Sequence, residues 1–219
     1  GNDCNLTPLK TPGAFVPDSG SINTGKYTNT WNFTDSCGAD IGVFEQIITI
    51  IDTTNPDTPT LADVTGECSA TATIPTTSDV CSGTITGTTT DPLTYTTQGT
   101  FTINWTFDDG NGNIITVPQT VIVDDITNPD TPTLADVTGE CSATATVPTT
   151  SDVCSGTITG TTTDPLTYTT QGTFTINWTF DDGNGNIITV PQTVIVDDIT
   201  NPDTPTLADV TGECSATAT

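Results

Sequence analysis

The sequence predicts an all-β protein made of tandem immunoglobulin-like β-sandwich repeats that together form an extended rod. A unit of 73 residues recurs along the chain, which is the signature of a repeat architecture. Apolar and polar residues alternate with a period of two, as they do in half-buried strands. Short β-branched runs are separated by Gly, Pro, Asp and Ser, and turns at this spacing are typical of small β-sandwich domains.

The repeat is almost invariant. Residues 55–127 and 128–200 differ at one position, where Ile74 of the first copy is Val147 in the second. Residues 201–219 begin a third copy with the same letters, NPDTPTLADVTGECSATAT. These three stretches are therefore predicted to be a full repeat, a second full repeat and the truncated start of a further one.

The front of the chain aligns with the back half of a repeat. Trp31 falls on Trp105, and Gln46 falls on Gln119, when the two stretches are matched. Residues 1–54 are therefore predicted to be the C-terminal part of a divergent domain of the same immunoglobulin-like type.

Two long strands are predicted in each repeat. In TFTINWTFDD, Ile103 and Trp105 point to one face while the intervening Thr and Asn residues point to the other. Val121 and Val123 continue this pattern in TVIVDD. Because Trp105 alternates in phase with its apolar neighbours, we predict that it lies in the core, as does Trp178, rather than stacking on sugars.

Charge restricts the possible partners. The net charge is −25, and the only basic side chains are Lys10 and Lys26. Nucleic acid and anionic lipid surfaces would repel such a chain, so we expect neither nucleic-acid binding nor membrane insertion. The same charge density favours the binding of divalent cations.

The cysteines predict disulfides. Cys68 and Cys81 are thirteen positions apart, as are Cys141 and Cys154. Zinc is disfavoured because the chain has no His and only two thiols per repeat, whereas structural zinc sites use four ligands. The predicted pairs are Cys68–Cys81 and Cys141–Cys154, which implies an oxidising, extracytoplasmic setting.

The remaining cysteines are expected to follow the same chemistry. Cys4 and Cys37 are predicted to pair with each other, although a partner upstream of the segment is an alternative. Cys214 opens a third pair, and its partner is expected to lie beyond residue 219.

The motif DDGNGN is the first candidate for a calcium site. Its side chains have the alternating spacing that opens a calcium loop, but the Gly and the bidentate Glu of that loop are missing. The alternative is a plain hairpin turn, which Asn-Gly favours. The candidate ligands are Asp108, Asp109, Asn111 and Asn113, with Asp181, Asp182, Asn184 and Asn186 in the second repeat.

The domain junctions are the second candidate. Each junction gathers acidic residues that two neighbouring domains could share around one calcium ion, and the alternative is a solvated linker stiffened by proline. The candidate ligands are Asp124, Asp125 and Asp130, then Asp197, Asp198 and Asp203, while the first junction keeps Asp52 and Asp57.

Catalysis finds little support in the sequence. His is absent, and no nucleophile is accompanied by an activating base, so we expect no enzyme. Asn104 and Asn177 match the short N-glycosylation triplet, which is common by chance.

The residues resemble a known family. The run GEC…DVC, followed by NWTFDDGNGN and TVIVDDITNPDTP, resembles the HYR-like repeats of giant bacterial surface adhesins, and TDSCGAD is similar to a motif of the same family. The resemblance is to the repeat region of SprB-type gliding-motility adhesins, which are exported by the type IX secretion route. It implies an extracellular filament at the bacterial surface. Thr53 then resembles an O-glycosylation site of bacteria that use this route.

The expected function is structural. We predict a stalk or filament that serves attachment or gliding and spaces an adhesive tip from the cell. Its expected partners are neighbouring repeats, other filaments, and a surface or glycan ligand at the tip. The alternative is a glycan-binding or spacer array in a secreted polysaccharide-active protein, whose gene would place a catalytic domain beside a few such units.

Overall fold

The computed structural model describes residues 5–21 and 23–217. These residues form strands and loops with no helix, which confirms the prediction of an all-β chain. None of the described residues therefore belongs to a helix long and apolar enough to cross a membrane. The chain divides into two compact units, Gly1–Asp125 and Ile126–Thr219. The finer domain boundaries stay predictions.

The first domain is a four-stranded antiparallel sheet built around its longest hairpin. Its strands are β1 (Leu6–Thr11), β2 (Phe15–Pro17), β3 (Gly25–Asp35) and β4 (Asp40–Ile50). β3 is central, because β1 and β2 pair with one edge of it and β4 with the other. The β3–β4 register shifts between Phe33 and Thr34, which is a β-bulge.

The first repeat is dominated by one long hairpin. Its strands are β5 (Val64–Gly66), β6 (Ala70–Thr71), β7 (Thr76–Asp79), β8 (Gly83–Thr86), β9 (Thr94–Tyr95), β10 (Gly99–Asp108) and β11 (Ile114–Val123). β10 and β11 are antiparallel, and β5 joins the other edge of β11 in parallel. β6 pairs with β9, and β7 pairs with β8.

The core lies on one face of this hairpin, as the two-residue alternation predicts. Ile103, Trp105 and Phe107 of β10 are fully buried, as are Val121 and Val123 of β11. The covering elements contribute the small residues Ala70 and Ala72 together with Ile85. The prediction that Trp105 and Trp178 are core residues is confirmed, since each is 1% exposed.

A tryptophan–glutamine hydrogen bond recurs in all three hairpins. Trp105 Nε1 donates to Gln119 Oε1 at 2.9 Å within the core, and the second repeat has the same bond at 2.9 Å. In the first domain Trp31 Nε1 donates to Gln46 Oε1 at 3.3 Å, at an exposed position. The aligned residues therefore make the same contact in a buried and in an exposed setting.

The second repeat has the same strands in the same order. They are β12 (Val137–Gly139), β13 (Ala143–Thr144), β14 (Thr149–Asp152), β15 (Gly156–Thr159), β16 (Thr167–Tyr168), β17 (Gly172–Asp181) and β18 (Ile187–Val196). Each strand pairing of the first repeat recurs with the equivalent register. Its core consists of the corresponding residues.

The predicted disulfides within the repeats are wrong. Cys68 and Cys154 are in disulfides, but their predicted partners, Cys81 and Cys141, carry free thiols. Neither within-repeat pair is therefore formed.

The physical reason is the length of the hairpin. Cys68 follows β5, which pairs with the C-terminal end of β11. Cys81 precedes Ser82, whose hydroxyl donates to the Asp109 carbonyl at the opposite end, beside the β10–β11 turn. A ten-residue strand spans about 30 Å at ~3.3 Å per residue. Disulfide-linked Cα atoms lie within about 7 Å. The second repeat has the same arrangement.

The remaining predicted disulfides involve cysteines that lie outside the two full repeats. Cys37 is in a disulfide, and its predicted partner, Cys4, lies outside the described residues. Cys214 carries a free thiol, so the disulfide predicted for it beyond residue 219 stays a prediction.

Candidate metal centre

Three segments of the first unit meet beside the β10–β11 turn. Asp52 lies two residues beyond β4 of the first domain. The β7–β8 turn supplies Asp79 and Cys81 from the first repeat, and a carboxylate oxygen of each Asp and the Cys81 sulfur lie within 4.8 Å of one another. The β10–β11 turn supplies Asn111, whose Nδ2 donates to Asp52 Oδ2 at 2.9 Å. The loop and the junction, which the sequence offers as two separate candidates, therefore adjoin here.

The β10–β11 turn is held by Asp109. Its Oδ1 accepts the backbone N–H groups of Asn111 at 2.7 Å and Asn113 at 3.1 Å, and its Oδ2 accepts Asn113 Nδ2 at 2.6 Å. Gly110 and Gly112 have φ values of 79° and 104°, a region that favours glycine. Both oxygens of Asp109 are thus occupied by donors, so this carboxylate organises the turn.

The same bonds set the charge state of Asp109. Burial raises the pKa of this carboxyl, but the hydrogen bonds from the Asn113 side chain and from the backbone of Asn111, Asn113 and Gly112 outweigh it, so the pKa lies below its usual range. The equivalent bonds lower the pKa of Asp182 in the second repeat. Hydrogen bonds that favour the ionised form have this effect.

Asp79 has one occupied and one free oxygen. Its Oδ1 accepts the backbone N–H of Cys81 at 2.7 Å and of Ser82 at 2.8 Å, which fixes the side chain on the β7–β8 turn. The residue is 7% exposed, and its Oδ2 is buried without a hydrogen-bond partner. A buried carboxylate oxygen without a donor is unusual, because desolvation is costly unless a partner compensates it.

The electrostatic potential at the Asp52–Asp79–Cys81 cluster disfavours a further negative charge. Two carboxylate charges within 4.8 Å of each other repel by at least about 3 kcal/mol at an effective dielectric constant of about 20. Partial burial raises the pKa of the Cys81 thiol, and the carboxylates of Asp52 and Asp79 raise it further. The thiol is therefore neutral near pH 7.

A small polar cavity of about 140 Å³ adjoins the cluster. The first domain contributes Ser21 and Asn23, and Asn23 Nδ2 donates to the Cys81 carbonyl. The repeat contributes Cys81, Ser82, Asp109 and Asn111. The lining offers hydroxyl, amide and carbonyl groups, which suit water or a hydrated cation.

The second repeat reproduces the part of this arrangement that one repeat supplies. Asp152 Oδ1 accepts the N–H groups of Cys154 and Ser155, and Asp152 Oδ2 is buried without a partner. Asp182 accepts the N–H groups of Asn184 and Asn186. The free, buried oxygen is therefore a feature of both repeats.

Three of the predicted ligands accept hydrogen bonds within their own domain. Asp108 is exposed, and its Oδ1 accepts the Gly110 N–H at 2.8 Å, as Asp181 does with Gly183 in the second repeat. Asp57 is tied to β7, because Ser78 Oγ donates to its Oδ2 at 2.7 Å.

Asp130 makes the equivalent contact in the second repeat, where Ser151 Oγ donates to Asp130 Oδ2 at 2.7 Å. Asp125 is buried, at 3% exposure. Four other predicted junction ligands are exposed, namely Asp124, Asp197, Asp198 and Asp203. Within the first unit, Asp124 is not a member of the cluster around Asp52.

The predicted glycosylation positions are accessible. Asn104 and Asn177 lie on the outer face of β10 and β17, and Thr53 is exposed in the linker. Modification of these residues stays a prediction. Sequence reasoning missed Asp79 as a candidate ligand, because TTSDVCSG reads as an ordinary turn.

The comparisons with known proteins do not define a family. No family model matches the chain, and no curated protein matches it. A solved structure, the Bacteroides ovatus mixed-linkage glucan utilization locus SGBP-B in complex with a mixed-linkage heptasaccharide, is 14% identical over 89% of this chain, with a TM-score of 0.17. This chain covers 60% of that one. A likeness at this level supports no conclusion about fold or function.

Proposed function

We propose that this chain is a structural segment of an extracellular bacterial surface protein, in which repeated domains space an adhesive region from the cell. One observation carries the proposal. Strands β12–β18 have the order and the registers of β5–β11, around a core of corresponding residues. A fold unit copied with its core and loops unchanged adds length without specialising any copy, which favours a structural role over a catalytic one.

Each repeat is assigned an immunoglobulin-like β-sandwich. The three-stranded sheet of β5, β10 and β11 lies on one side of the core, and the β6–β9 and β7–β8 pairs supply Ala70 and Ile85 to it. A core closed within 73 residues supports a domain that folds as a unit. Successive domains of this kind would form the predicted rod.

The charge and the cysteines support an extracellular setting. Disulfides persist in oxidising compartments, and Cys37, Cys68 and Cys154 are in disulfides. Acidic residues number 27 against two basic ones, so the segment repels itself and stays soluble. Together with the resemblance to HYR-like repeats, these features support the assignment to an adhesin that serves attachment or gliding.

Length measurements test the proposal. Small-angle scattering of chains with two, four and eight full repeats should give a maximum dimension that grows by a constant increment per repeat. The increment should be roughly 33 Å if the ten-residue strands follow the long axis at ~3.3 Å per residue. A dimension that grows only as a compact globule does, with a small power of chain length, would refute the spacer role.

A second candidate function is glycan binding, and one feature favours it. The first domain presents an open apolar surface lined by Pro8, Trp31, Phe33, Phe44 and Gln46, with Phe44 51% exposed. Aromatic faces of this kind can stack on sugars. A glycan array should then show saccharide binding that Trp31→Ala abolishes, whereas the spacer role predicts no saccharide signal from this segment.

A further inference from the structure

We propose that Asp52 and Asp79 together bind a hard divalent cation, with calcium as the expected ion, and that this cation links the first domain to the first repeat. The proposal concerns the junction alone and does not depend on the stalk function.

The buried oxygen of Asp79 is the first argument. The side chain is more than nine-tenths buried, and Oδ2 accepts no hydrogen bond from the described residues. Buried carboxylates are normally compensated by a donor or by a metal ion. Because Oδ1 is fixed by two backbone N–H groups, Oδ2 is held in place for such a partner.

The approach of Asp52 is the second argument. This residue follows β4 of the first domain, and its carboxylate lies within 4.8 Å of the Asp79 oxygen. Its Oδ2 accepts Asn111 Nδ2 at 2.9 Å and its Oδ1 accepts the Thr54 N–H at 3.1 Å, which orients the side chain. A carboxylate has about four acceptor sites, so these two bonds leave room for a cation. A cation between the two carboxylates would replace their repulsion by attraction and would cross-link the two domains.

The available ligands fit a hard cation. Calcium takes six to eight oxygen ligands in flexible geometry, and magnesium keeps several waters around one or two carboxylates. The cluster supplies carboxylate oxygens, and the 140 Å³ polar cavity beside it has room for waters, which occupy about 30 Å³ each. Two carboxylates with water suit calcium or magnesium, whereas soft metals prefer sites with more sulfur ligands than the single thiol of Cys81.

The second repeat carries the same buried half of the site. Asp152 Oδ2 is buried and unpartnered, as Asp79 Oδ2 is. An oxygen left free twice at the same place in the repeat is a feature of the fold rather than an accident of one loop.

The experiment is a calcium and magnesium titration of the whole chain by calorimetry, with thermal unfolding measured in millimolar calcium and in chelator. Asp79→Asn and Asp52→Asn are the test variants. Asp108→Asn is the matched control, because it removes the same charge from an exposed residue of the adjacent turn. Asp79→Asn retains a side-chain oxygen that can accept the Cys81 and Ser82 N–H groups, so this variant should fold.

We expect Asp79→Asn and Asp52→Asn to remove one bound ion per chain, with affinity at that site falling at least about tenfold. The control should stay within about twofold, as its oxygens are not at the cluster. In chelator, Asp79→Asn should be at least as stable as the parent, because a repulsive charge is gone, but calcium should no longer raise its melting temperature. Magnesium binding in place of calcium, lost in the same two variants, would support the hard-cation site and change only the ion.

Three results would overturn the proposal. The first is a parent protein that binds no calcium or magnesium and melts at the same temperature with and without them. The second is a test variant that binds like the parent. The third is tight zinc or cadmium binding that Cys81→Ser abolishes, which would make the cluster a thiolate site instead.

Discussion

Replacement of Gln119 by leucine tests the hydrogen bond that holds the core tryptophan. Gln119 accepts the indole N–H of Trp105 at 2.9 Å and donates to the Ala62 carbonyl at 2.9 Å. Gln119 is 8% exposed and Trp105 is 1% exposed. Leucine is of similar size and can do neither, so the indole N–H loses its partner where water does not reach it.

The magnitude follows from these two bonds. A buried donor left unpaired costs about 1–3 kcal/mol, whereas the bond to the more exposed Ala62 carbonyl contributes about 0.5–1.5 kcal/mol, part of which water restores. We therefore expect Gln119→Leu to destabilise the first repeat by about 2–3 kcal/mol. For a domain of this size the melting temperature should fall by roughly 10–20 °C.

The chain contains its own control. Gln46→Leu removes the equivalent acceptor from Trp31, where the bond is 3.3 Å long and exposed so that water replaces it, together with a long 3.5 Å bond from Asn29 Nδ2. Its effect should stay within about 1 kcal/mol, well below that of Gln119→Leu. Scanning calorimetry of the whole chain measures both variants, and the second repeat, where the Trp178–Gln192 bond is intact, provides an unshifted reference transition.

Equal shifts of the two transitions would refute the expected difference between Gln119→Leu and Gln46→Leu. An equal shift would mean that the buried hydrogen bond contributes no more than the exposed one. A small shift in both would mean that the core absorbs the unpaired indole N–H by rearranging.

Three further predictions concern the thiols, the turn and a tight contact. Alkylation of the native protein, read by mass spectrometry of peptides that contain the Ile/Val difference, should label Cys81, Cys141 and Cys214 before reduction, and labelling of Cys68 or Cys154 would contradict the structure. The pKa of Asp109 is lower in the folded state than its ordinary value of 3.8, so the stability that this carboxylate contributes is present above about pH 4 and is lost as the pH falls through the folded pKa. Urea unfolding between about pH 4 and pH 2 should therefore show a smaller loss of stability for Asp109→Asn than for the parent. Gly66→Ala would place a Cβ 2.0 Å from the Ser69 carbonyl oxygen, so denaturant unfolding should show a loss of about 2 kcal/mol or more, and a neutral substitution would refute the close approach.

The strands could be predicted because their signal is local. Side chains alternate between the two faces of a strand, so the sequence around Trp105 predicts which residues face the core. Ile103 and Phe107 are buried as expected. The alignment of Gln46 with Gln119 also had a physical basis, since both accept a hydrogen bond from the preceding aligned tryptophan.

The cysteines and the metal cluster could not be predicted in the same way, because they depend on which ends of strands meet. Cys68 and Cys81 are thirteen positions apart in sequence, but the intervening strands place them at opposite ends of the hairpin. Asp52 and Asp79 are 27 residues apart (79 minus 52) and meet only after two domains have folded against each other. No local pattern marks Asp79, whose buried oxygen becomes visible only in three dimensions.

The linker between the first domain and the first repeat leaves little chain unattached. Asp52 is held by Asn111 on one side, and Asp57 is bonded to Ser78 on the other, so four residues, 53–56, lie between fixed points. Fully stretched, the five Cα–Cα steps from Asp52 to Asp57 span about 18 Å at ~3.5 Å per residue. A force applied to both ends of the chain could extend this linker only slightly before it acts on the adjoining hairpins. Further extension of the joint would require the side-chain hydrogen bonds of Asp52 or Asp57 to break.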